Sequence, residues 1–279
     1  MLSSQNNSIT LDRPFVLESG ATLSEVTIQF HTYGEWNEDR SNAIVVCHAL
    51  TGSANVQEWW SGIFGAGRLL DPQKYFIIVP NLLGSCYGTT GPESIAPNGK
   101  PYLASFPTIA IRDIARANLA LLDALKVDEV HLSIGGSLGG MVVLEMAAIA
   151  PERFRAIAPI AATGSHSAWR IAFSSTIRKT ILAFDPTLQD RAKLLAGLRL
   201  ARQSATISYR SSAEFDGRFG RDKYGLIFEV ERYLEHQGEK IAERFSPYSY
   251  LTLTRAMELY DMTEQRGCIA LAVEKITAN

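Results

Sequence analysis

The sequence predicts an α/β fold in which a mostly parallel sheet carries a helical lid insertion. Over the first 165 residues, short apolar runs alternate with a helical pattern, which is typical of a parallel sheet. From about residue 166 to residue 265, long helical patterns replace the strands. A glycine-rich turn joins one strand directly to one helix. We therefore expect a sheet core over residues 1–165, a helical lid over 166–265 and a return toward the core over 266–279.

Five runs rich in β-branched and aromatic residues are the predicted strands. They are VTIQFHTY from Val26, AIVVC from Ala43, YFIIV from Tyr75, VHLSI from Val130 and AIAPIA from Ala156. Several are apolar without alternation, as expected for strands that are covered on both faces. Between the third and fourth strands, TIAIRDIARANLALLDALKV keeps one helical face apolar. This pattern predicts a helix with Thr108 as its N-cap.

The predicted lid contains three long helical patterns. They are WRIAFSSTIRKTILAF, FEVERYLEHQGEKIAERF and SPYSYLTLTRAMELYDM, and strand-like runs stop after about Thr163. The final segment CIALAVEKITAN predicts a short helix followed by the start of an extended segment.

Composition argues against several classes of partner. With 279 residues, of which 46% are hydrophobic, the chain can bury a large core. Its 27 Lys and Arg residues nearly balance 29 Asp and Glu residues, and no basic run stands out, so we expect no nucleic-acid partner. The polar start MLSSQNNSITLDRPF is unlike a secretory signal, and no apolar run approaches the ~18 residues of a membrane span. We therefore expect a cytoplasmic protein without a membrane partner.

The cysteines indicate neither a disulfide framework nor a zinc site. Cys47, Cys86 and Cys268 are odd in number and lie at unrelated spacings without a CxxC pair. We interpret them as buried small hydrophobic residues, and we expect no metal.

The segment SIGGSLGGM places Ser137 between Gly135 and Gly139 in the pattern G-x-S-x-G. It follows the predicted strand VHLSI and precedes the helical run LGGMVVLEMAAIA, which is the strand–turn–helix context of a nucleophile elbow. Such a turn strains the backbone of the serine, and its neighbours must be small so that helix and strand can pass closely. A phosphate-binding loop is the competing interpretation, but Ser137 stands where the second glycine of G-x-G-x-x-G belongs. We predict that Ser137 is a catalytic nucleophile.

Two backbone amides are predicted to stabilise negative charge next to this serine. The amide of Leu138 lies at a helix N-terminus, where it points toward an oxyanion. The loop CHALTG follows the strand AIVVC, so Leu50 is the second candidate donor and Thr51 shapes the loop. His48 lies in the same loop, but in this fold order the catalytic histidine follows the serine. We therefore interpret His48 as structural.

Several stretches of the chain resemble the homoserine O-acetyltransferases, α/β-hydrolase-fold enzymes of methionine biosynthesis. The matching stretches include TYGEWNEDRSNAIVVCHALTGSANVQEWW, NLLGSCYGTTGP, FPTIAIRD, GGSLGGMVVLE, ARQSATISYRS, RFGR, YLEHQGEKIAERF and YSYLTLTRAMELYD. They run from about Thr32 to Asp261. The resemblance implies that Ser137 takes an acetyl group from acetyl-CoA, which acts as a substrate rather than a bound cofactor. The acyl group then passes to the hydroxyl of L-homoserine in a double displacement.

The resemblance also implies a carboxylate-binding residue and an oligomeric state. The family's arginine that holds the homoserine carboxylate corresponds to Arg202, with Tyr209 nearby and Thr51 as a further substrate contact. A guanidinium suits a carboxylate because it donates two parallel hydrogen bonds. Arg210 and Arg221 stay alternatives for this role. The family pairs through its lid helices, so a homodimer is expected.

The chain departs from the family pattern after EKITAN. The family continues there into a strand that ends in the catalytic aspartate, and later into a Gly-His-Asp segment with the catalytic histidine. The resemblance therefore predicts that the last strands of the sheet are missing from these 279 residues. The remaining candidates do not match the family's acid and base, so none is assigned: His166, His236, Asp185, Asp216 and Asp261.

These differences lead to an expectation of impaired activity and to several alternatives. A serine without a base is a poor nucleophile, and AIAPIA is expected to form an exposed edge strand that favours aggregation. A serine hydrolase or esterase shares the elbow and differs in its acceptor, and a catalytically inactive truncated remnant is the third interpretation. A separate polypeptide could also supply the missing strands. The sequence leaves open acetyl against succinyl donors and homoserine against serine acceptors.

Overall fold

The computed structural model describes residues 5–274 and 276–278. The strands are β1 Gln5–Thr10, β2 Phe15–Val16, β3 Thr22–Leu23, β4 Thr27–Tyr33, β5 Ala43–Cys47, β6 Phe76–Pro80, β7 Leu132–Gly136, β8 Ile157–Ile160, β9 Lys223–Tyr224 and β10 Ile227–Phe228. The α-helices are α1 Val56–Trp59, α2 Ile111–Ala124, α3 Leu138–Ile149, α4 Ala168–Phe184, α5 Arg191–Ser208, α6 Ser212–Phe219, α7 Glu229–Ala242, α8 Pro247–Glu258 and α9 Ile269–Glu274. Short 3-10 turns lie at Leu103–Ser105 and Pro151–Arg153.

The main sheet has the strand order β1-β4-β6-β5-β7-β8. Strands β6, β5, β7 and β8 are parallel to one another, whereas β1 and β4 add an antiparallel edge. The central strand β5 is buried along its whole length. The predicted mostly parallel sheet is confirmed, and the carboxyl ends of its parallel strands meet at one edge, where sites form in α/β folds.

The five predicted strands are all present, with shifts at some ends. The strand expected at Val130–Ile134 runs instead over Leu132–Gly136. Val130 forms an isolated bridge with Phe154, and the strand continues through Gly136 to the residue before Ser137.

The prediction of Thr108 as the N-cap of α2 is wrong. The N-cap residue is Ala110, and the carboxylate of Asp113 accepts the Ala110 N–H at 2.9 Å. The same carboxylate accepts the Glu18 N–H at 2.9 Å, so it joins the start of α2 to the N-terminal segment. Thr108 takes part differently, because its carbonyl accepts a hydrogen bond from the Ser19 hydroxyl. The helix start is therefore capped by the Asp113 carboxylate from within the first turn, and not by the predicted Thr108 hydroxyl before it.

The lid is not wholly helical, which corrects a second expectation. Strands β9 and β10 form a short antiparallel hairpin in which Tyr224 pairs with Ile227. Gly225 lies in the two-residue loop with φ of +65°, a value that favours glycine. The predicted helices α4, α7 and α8 are present, and α9 confirms the short helix near the end of the described residues. Residues 276–278 follow it without regular structure, and Lys275 and Asn279 lie outside the described residues.

The lid and the sheet share one buried apolar cluster. Leu194 and Leu198 of α5 belong to the same cluster as Val45 of the sheet and Val142 of α3. Helix α5 also packs closely on α4, because a Cβ at Gly197 would lie 2.7 Å from the Cα of Ile181. The lid is thus anchored by packing on the core as well as by its chain connections.

A buried ion pair joins the lid helices α4 and α8. Arg178 donates two hydrogen bonds, at 2.9 and 2.7 Å, to the two carboxylate oxygens of Glu258. The Glu258 side chain is 1% exposed and that of Arg178 is 19% exposed. Arg255 also reaches Glu258 at 3.1 Å, but its side chain is 49% exposed.

Strand β8 lies at the edge of the sheet as the structure describes it. Its residues are only half-buried, in contrast to those of β5, and the side chain of Ile160 is 46% exposed. The cysteines differ from one another: Cys47 is buried as expected, Cys86 is half-buried, and Cys268 is exposed, which corrects the prediction for that residue.

We predict that Arg178→Met lowers the free energy of unfolding by about 3 kcal/mol, because it leaves a buried carboxylate without its bidentate partner. The matched control is Arg255→Met, which removes an exposed cation from the same carboxylate and should cost under about 1 kcal/mol. Urea unfolding followed by circular dichroism measures both values. Equal losses in the two variants would contradict the assignment of a buried pair.

Candidate active site

Ser137 lies on a sharp turn between β7 and α3. Its backbone has φ of +55° and ψ of −119°, a strained combination for a residue with a side chain. The turn is held by hydrogen bonds from the Ser137 N–H to the Ile160 carbonyl at 2.9 Å and from the Met141 N–H to the Ser137 carbonyl at 3.1 Å. The strand–turn–helix geometry expected at this serine is therefore present.

Two glycines around Ser137 are required by close contacts between backbones. A Cβ at Gly135 would overlap the carbonyl of Gly139, on the first turn of α3. A Cβ at Gly139 would overlap the carbonyls of Cys47 and His48, at the end of β5. The start of α3 therefore rests on the end of the neighbouring strand, next to the loop that follows it.

Five of the predicted site residues line one cavity of about 660 Å³: Ser137, Leu50, Thr51, Arg202 and Tyr209. This volume is within the usual range for sites that bind small molecules. The side chain of Leu138, the sixth predicted residue, is fully buried behind the turn. Sequence elements more than 60 residues apart thus contribute to one pocket at the carboxyl ends of the strands.

The two predicted oxyanion donors are free of competing acceptors. Within residues 5–274 and 276–278, the N–H groups of Leu50 and Leu138 donate to no protein acceptor. Leu138 is the first residue of α3, so its N–H is one of those that a helix leaves without an internal partner. These amides can donate to a ligand, which is the chemical property that an oxyanion hole needs.

A lid residue supports the loop that contains Leu50. The guanidinium of Arg244, which follows α7, donates to the Thr51 carbonyl at 2.6 Å and to the Tyr87 hydroxyl at 2.9 Å. The Gly52 N–H closes the turn on the Ala49 carbonyl at 2.9 Å. The loop is therefore held both from within and from the lid.

His48 does not line the cavity and is fully buried. Burial lowers the pKa of its imidazole to about 4, so the ring is neutral at physiological pH. Both ring nitrogens have partners, the Ala49 carbonyl and the Leu82 N–H. This geometry agrees with the interpretation of His48 as structural rather than as a base for Ser137.

The cavity contains two guanidinium groups, of which the sequence indicated one. Arg202 lies 5.7 Å from the ring centroid of Tyr209, and Arg170 lies in the first turn of α4. Neither forms an ion pair with a carboxylate in the part of the chain that the structure describes. Unpaired cations in a cavity favour an anionic ligand group. The alternatives to Arg202 do not line the cavity: Arg210 pairs with Glu214, and Arg221 lies 5.6 Å from the ring centroid of Phe228.

His166 also lines the cavity, which the sequence did not indicate. Its side chain is 9% exposed, and its Nδ1 has no hydrogen-bond partner among the described residues. Burial and the nearby charge of Arg170 lower the pKa of this imidazole. Both residues follow β8, and their place in the cavity could be anticipated because the carboxyl ends of parallel strands meet at one edge.

The other unassigned residues lie outside the cavity. Asp185 accepts hydrogen bonds from the Thr187 hydroxyl and from the backbone N–H groups of Asp190, Gln189 and Thr187, which lower its pKa to about 2. Asp261 accepts the Thr263 N–H at 2.8 Å, and neither Asp216 nor His236 lines the pocket. Over the described ranges, no histidine–carboxylate hydrogen bond lies in the cavity beside Ser137.

The described residues contain neither a metal-binding cluster nor a membrane-spanning helix. No group of three or more His, Cys, Asp or Glu side chains in them is arranged to hold a metal ion. Among the helices described, none is long and apolar enough to cross a membrane.

We predict that Gly139→Ala destabilises the protein by about 3 kcal/mol or more, because the added methyl group would overlap backbone carbonyls that cannot move independently. The control is Gly136→Ala, whose Cβ would meet its nearest neighbour, the ring of Trp60, at an ordinary 3.6 Å. Thermal unfolding compares the two variants. A Gly139→Ala protein with the melting temperature of the control would refute the close-contact explanation.

Comparisons with known proteins agree with this architecture. Residues 42–253 match the family model of the alpha/beta hydrolase fold. The homoserine O-acetyltransferase of Chlorobium chlorochromatii is 44% identical over 96% of this chain and 77% of the relative. The structure of homoserine O-acetyltransferase from Bacillus anthracis superimposes with a TM-score of 0.89 and 22% identity, over 100% of this chain and 82% of that one. An acetylester hydrolase from Corynebacterium glutamicum gives a TM-score of 0.85 and 23% identity, over 99% of this chain and 78% of that one.

At 22% and 23% identity, the two solved structures establish the fold. The Chlorobium relative, at 44% identity, establishes the family. The chain belongs to the homoserine O-acetyltransferase family of α/β-hydrolase-fold enzymes.

Proposed function

We propose that this protein transfers an acetyl group from acetyl-CoA to the side-chain hydroxyl of L-homoserine through an acyl-Ser137 intermediate, as a step of methionine biosynthesis. The observation that carries the proposal is the position of Ser137. It lies on a strained turn and lines one cavity with the guanidinium of Arg202, which pairs with no carboxylate among the described residues. Membership of the acetyltransferase family supports the same reaction.

The reaction proceeds in two half-reactions. The Ser137 hydroxyl attacks the thioester carbonyl, and CoA leaves as its thiol after receiving the proton. The homoserine hydroxyl then attacks the acyl-serine, and Ser137 recovers its proton as O-acetylhomoserine forms. In both steps the Leu50 and Leu138 amides stabilise the tetrahedral oxyanion, because these N–H groups, in a loop and at a helix N-terminus, donate to no acceptor in the described part of the chain.

Arg202 binds the carboxylate of the acceptor in this proposal. A guanidinium donates two parallel hydrogen bonds to a carboxylate, and it has no competing carboxylate among the described residues. Tyr209 and Thr51 line the same cavity and supply further polar contacts to the acceptor. An α-amino acid with a side-chain hydroxyl then fits the cavity with its hydroxyl near Ser137 and its carboxylate at Arg202 in the lid.

In this proposal, proton transfer from Ser137 limits the rate at which the 279-residue chain is acylated. Ser137 has no histidine–carboxylate pair beside it among the described residues, and loss of such a pair costs about 10⁴- to 10⁶-fold in serine enzymes. We therefore propose slow acylation by this chain alone. A 279-residue protein that turns over acetyl-CoA and homoserine at ordinary enzyme rates would contradict this part of the proposal.

Hydrolysis is the second candidate function. An esterase uses the same serine and the same oxyanion donors, with water as the acceptor, and the fold is shared with a protein named acetylester hydrolase. The cation at Arg202 favours the transferase, because water needs no carboxylate-binding group. If the protein is instead a catalytically inactive truncated remnant, Ser137 does not react even with an activated ester.

We also propose that the protein forms a homodimer. A homodimer through the lid helices is supported by large exposed apolar side chains in the lid, including Trp169 at 73% and Leu226 at 95% exposure. The cytoplasmic location, the lack of nucleic-acid or membrane partners and the boundaries of core, lid and return remain expectations from the sequence.

We predict that p-nitrophenyl acetate acetylates Ser137 and that Ser137→Ala abolishes the adduct, which mass spectrometry of the digested protein detects. An inert wild-type Ser137 would support the remnant instead. Adding homoserine to the acetylated protein should release O-acetylhomoserine, whereas release of acetate alone would support the esterase.

We predict that Arg202→Ala raises the KM for homoserine by about 10- to 100-fold, because a charge-assisted hydrogen-bond pair to its carboxylate is lost. Acylation of Ser137 should be preserved. The control is Arg210→Ala, which removes a guanidinium that pairs with Glu214 on the same part of the lid. Steady-state kinetics give the KM values, and loss of acylation in Arg202→Ala would overturn the proposed role.

A further inference from the structure

His48 is a buried titratable side chain that the proposed chemistry leaves without a role. It lies in the loop after β5, directly before the residues that line the cavity. We infer that His48 is a positioning residue that aims the Leu50 amide at the cavity by holding the Ala49 carbonyl. The inference rests on the proposed function in taking Ser137 as the residue that is acylated and the Leu50 amide as a donor to the oxyanion.

The hydrogen bonds of His48 define one tautomer of its ring. The Leu82 N–H can only donate, and it lies 3.1 Å from Nε2, so Nε2 is the unprotonated acceptor. The Ala49 carbonyl can only accept, and it lies 2.8 Å from Nδ1, so Nδ1 holds the proton. The imidazole therefore accepts on one side and donates on the other, which a neutral ring does in one tautomer only.

The Ala49 carbonyl and the Leu50 N–H belong to the same peptide group. A trans peptide is planar, and its C=O and N–H point in opposite directions. The carbonyl receives two hydrogen bonds, from Nδ1 of His48 at 2.8 Å and from the Gly52 N–H at 2.9 Å. Because both donors lie on the carbonyl side, the Leu50 N–H is directed away from them, and it meets no protein acceptor among the described residues.

The ring itself is held in place by its surroundings. Leu82, which donates to Nε2, is fully buried after β6. A Cβ at Gly52 would lie 2.7 Å from the Cβ of His48, and a Cβ at Gly139 would overlap the His48 carbonyl. The imidazole thus fixes the Ala49–Leu50 peptide relative to Leu82, just after β6. That peptide contains the N–H that we predict to be an oxyanion donor.

Two substitutions of similar size separate the two sides of the ring. In His48→Asn, the amide nitrogen can replace Nδ1 and donate to the Ala49 carbonyl, while the acceptor for Leu82 is lost. In His48→Gln, the amide oxygen can replace Nε2 and accept from Leu82, while the donor to Ala49 is lost. Each variant loses one of two buried hydrogen bonds, so similar losses of thermal stability are expected.

The experiment measures the single-turnover rate of Ser137 acetylation by p-nitrophenyl acetate, from the release of p-nitrophenolate. We expect His48→Gln to lower this rate by about 100-fold, the usual effect of removing one oxyanion donor, and His48→Asn to stay within about threefold of wild type. Equal losses in both variants, or an unaffected His48→Gln, would overturn the inference, because a packing role predicts no difference between them.

Crystal structures of the two variants give a second test that needs no activity. The Ala49–Leu50 peptide should keep its orientation in His48→Asn and be rotated or present in more than one orientation in His48→Gln. An unchanged peptide in His48→Gln would overturn the inference. Acetylation of Ser137 without transfer to homoserine would contradict the proposed acceptor while leaving the comparison of His48 variants intact.

Discussion

The close approach of α3 to the end of β5 is the contact on which the site depends. It brings the backbone at Gly139 against the carbonyls of Cys47 and His48. This approach places the strained serine of one βα turn beside the loop that follows the neighbouring strand. Ser137 and Leu50 therefore line the same cavity. The strain at Ser137 is maintained by parallel strands on both sides of β7, which fix the turn from outside.

The lid contributes two guanidinium groups to the cavity that Ser137 lines. Arg170 and Arg202 enter the cavity from α4 and α5, which pack on each other at Gly197 and share the core of the sheet. Ion pairs elsewhere in the lid, such as Arg178 with Glu258, leave these two guanidiniums without carboxylate partners in the described residues. Two guanidinium groups in one cavity favour a ligand that carries a carboxylate. In the proposed reaction, the bonds are made and broken at Ser137 on the sheet, and the lid binds the acceptor.

Local sequence signals predicted the parts of the structure in which a short segment determines its own geometry. The turn at Ser137 was predictable because strand, glycines and helix are adjacent in sequence, and the apolar run of β5 is long enough to indicate a buried strand. The start of α2 was predicted wrongly, because the carboxylate of Asp113 accepts the Ala110 N–H and also the N–H of Glu18, 95 positions away, a contact that no local pattern indicates. Arg170 and His166 were missed for a similar reason, since neither lies in a recognisable motif and only the sheet edge brings them to the cavity. The supporting role inferred for His48 depends on its contact with Leu82, which no spacing in the sequence indicates.

The contact of Arg244 with the Thr51 carbonyl and the Tyr87 hydroxyl constrains how these positions can change as related sequences diverge. A backbone carbonyl persists whatever residue occupies position 51, so selection at this junction falls on the two side chains that meet there. We expect natural variation at positions 87 and 244 to be correlated, with loss of the guanidinium accompanied by loss of the phenol. The lid and the loop would then evolve as one unit, even though almost 200 residues of chain separate them.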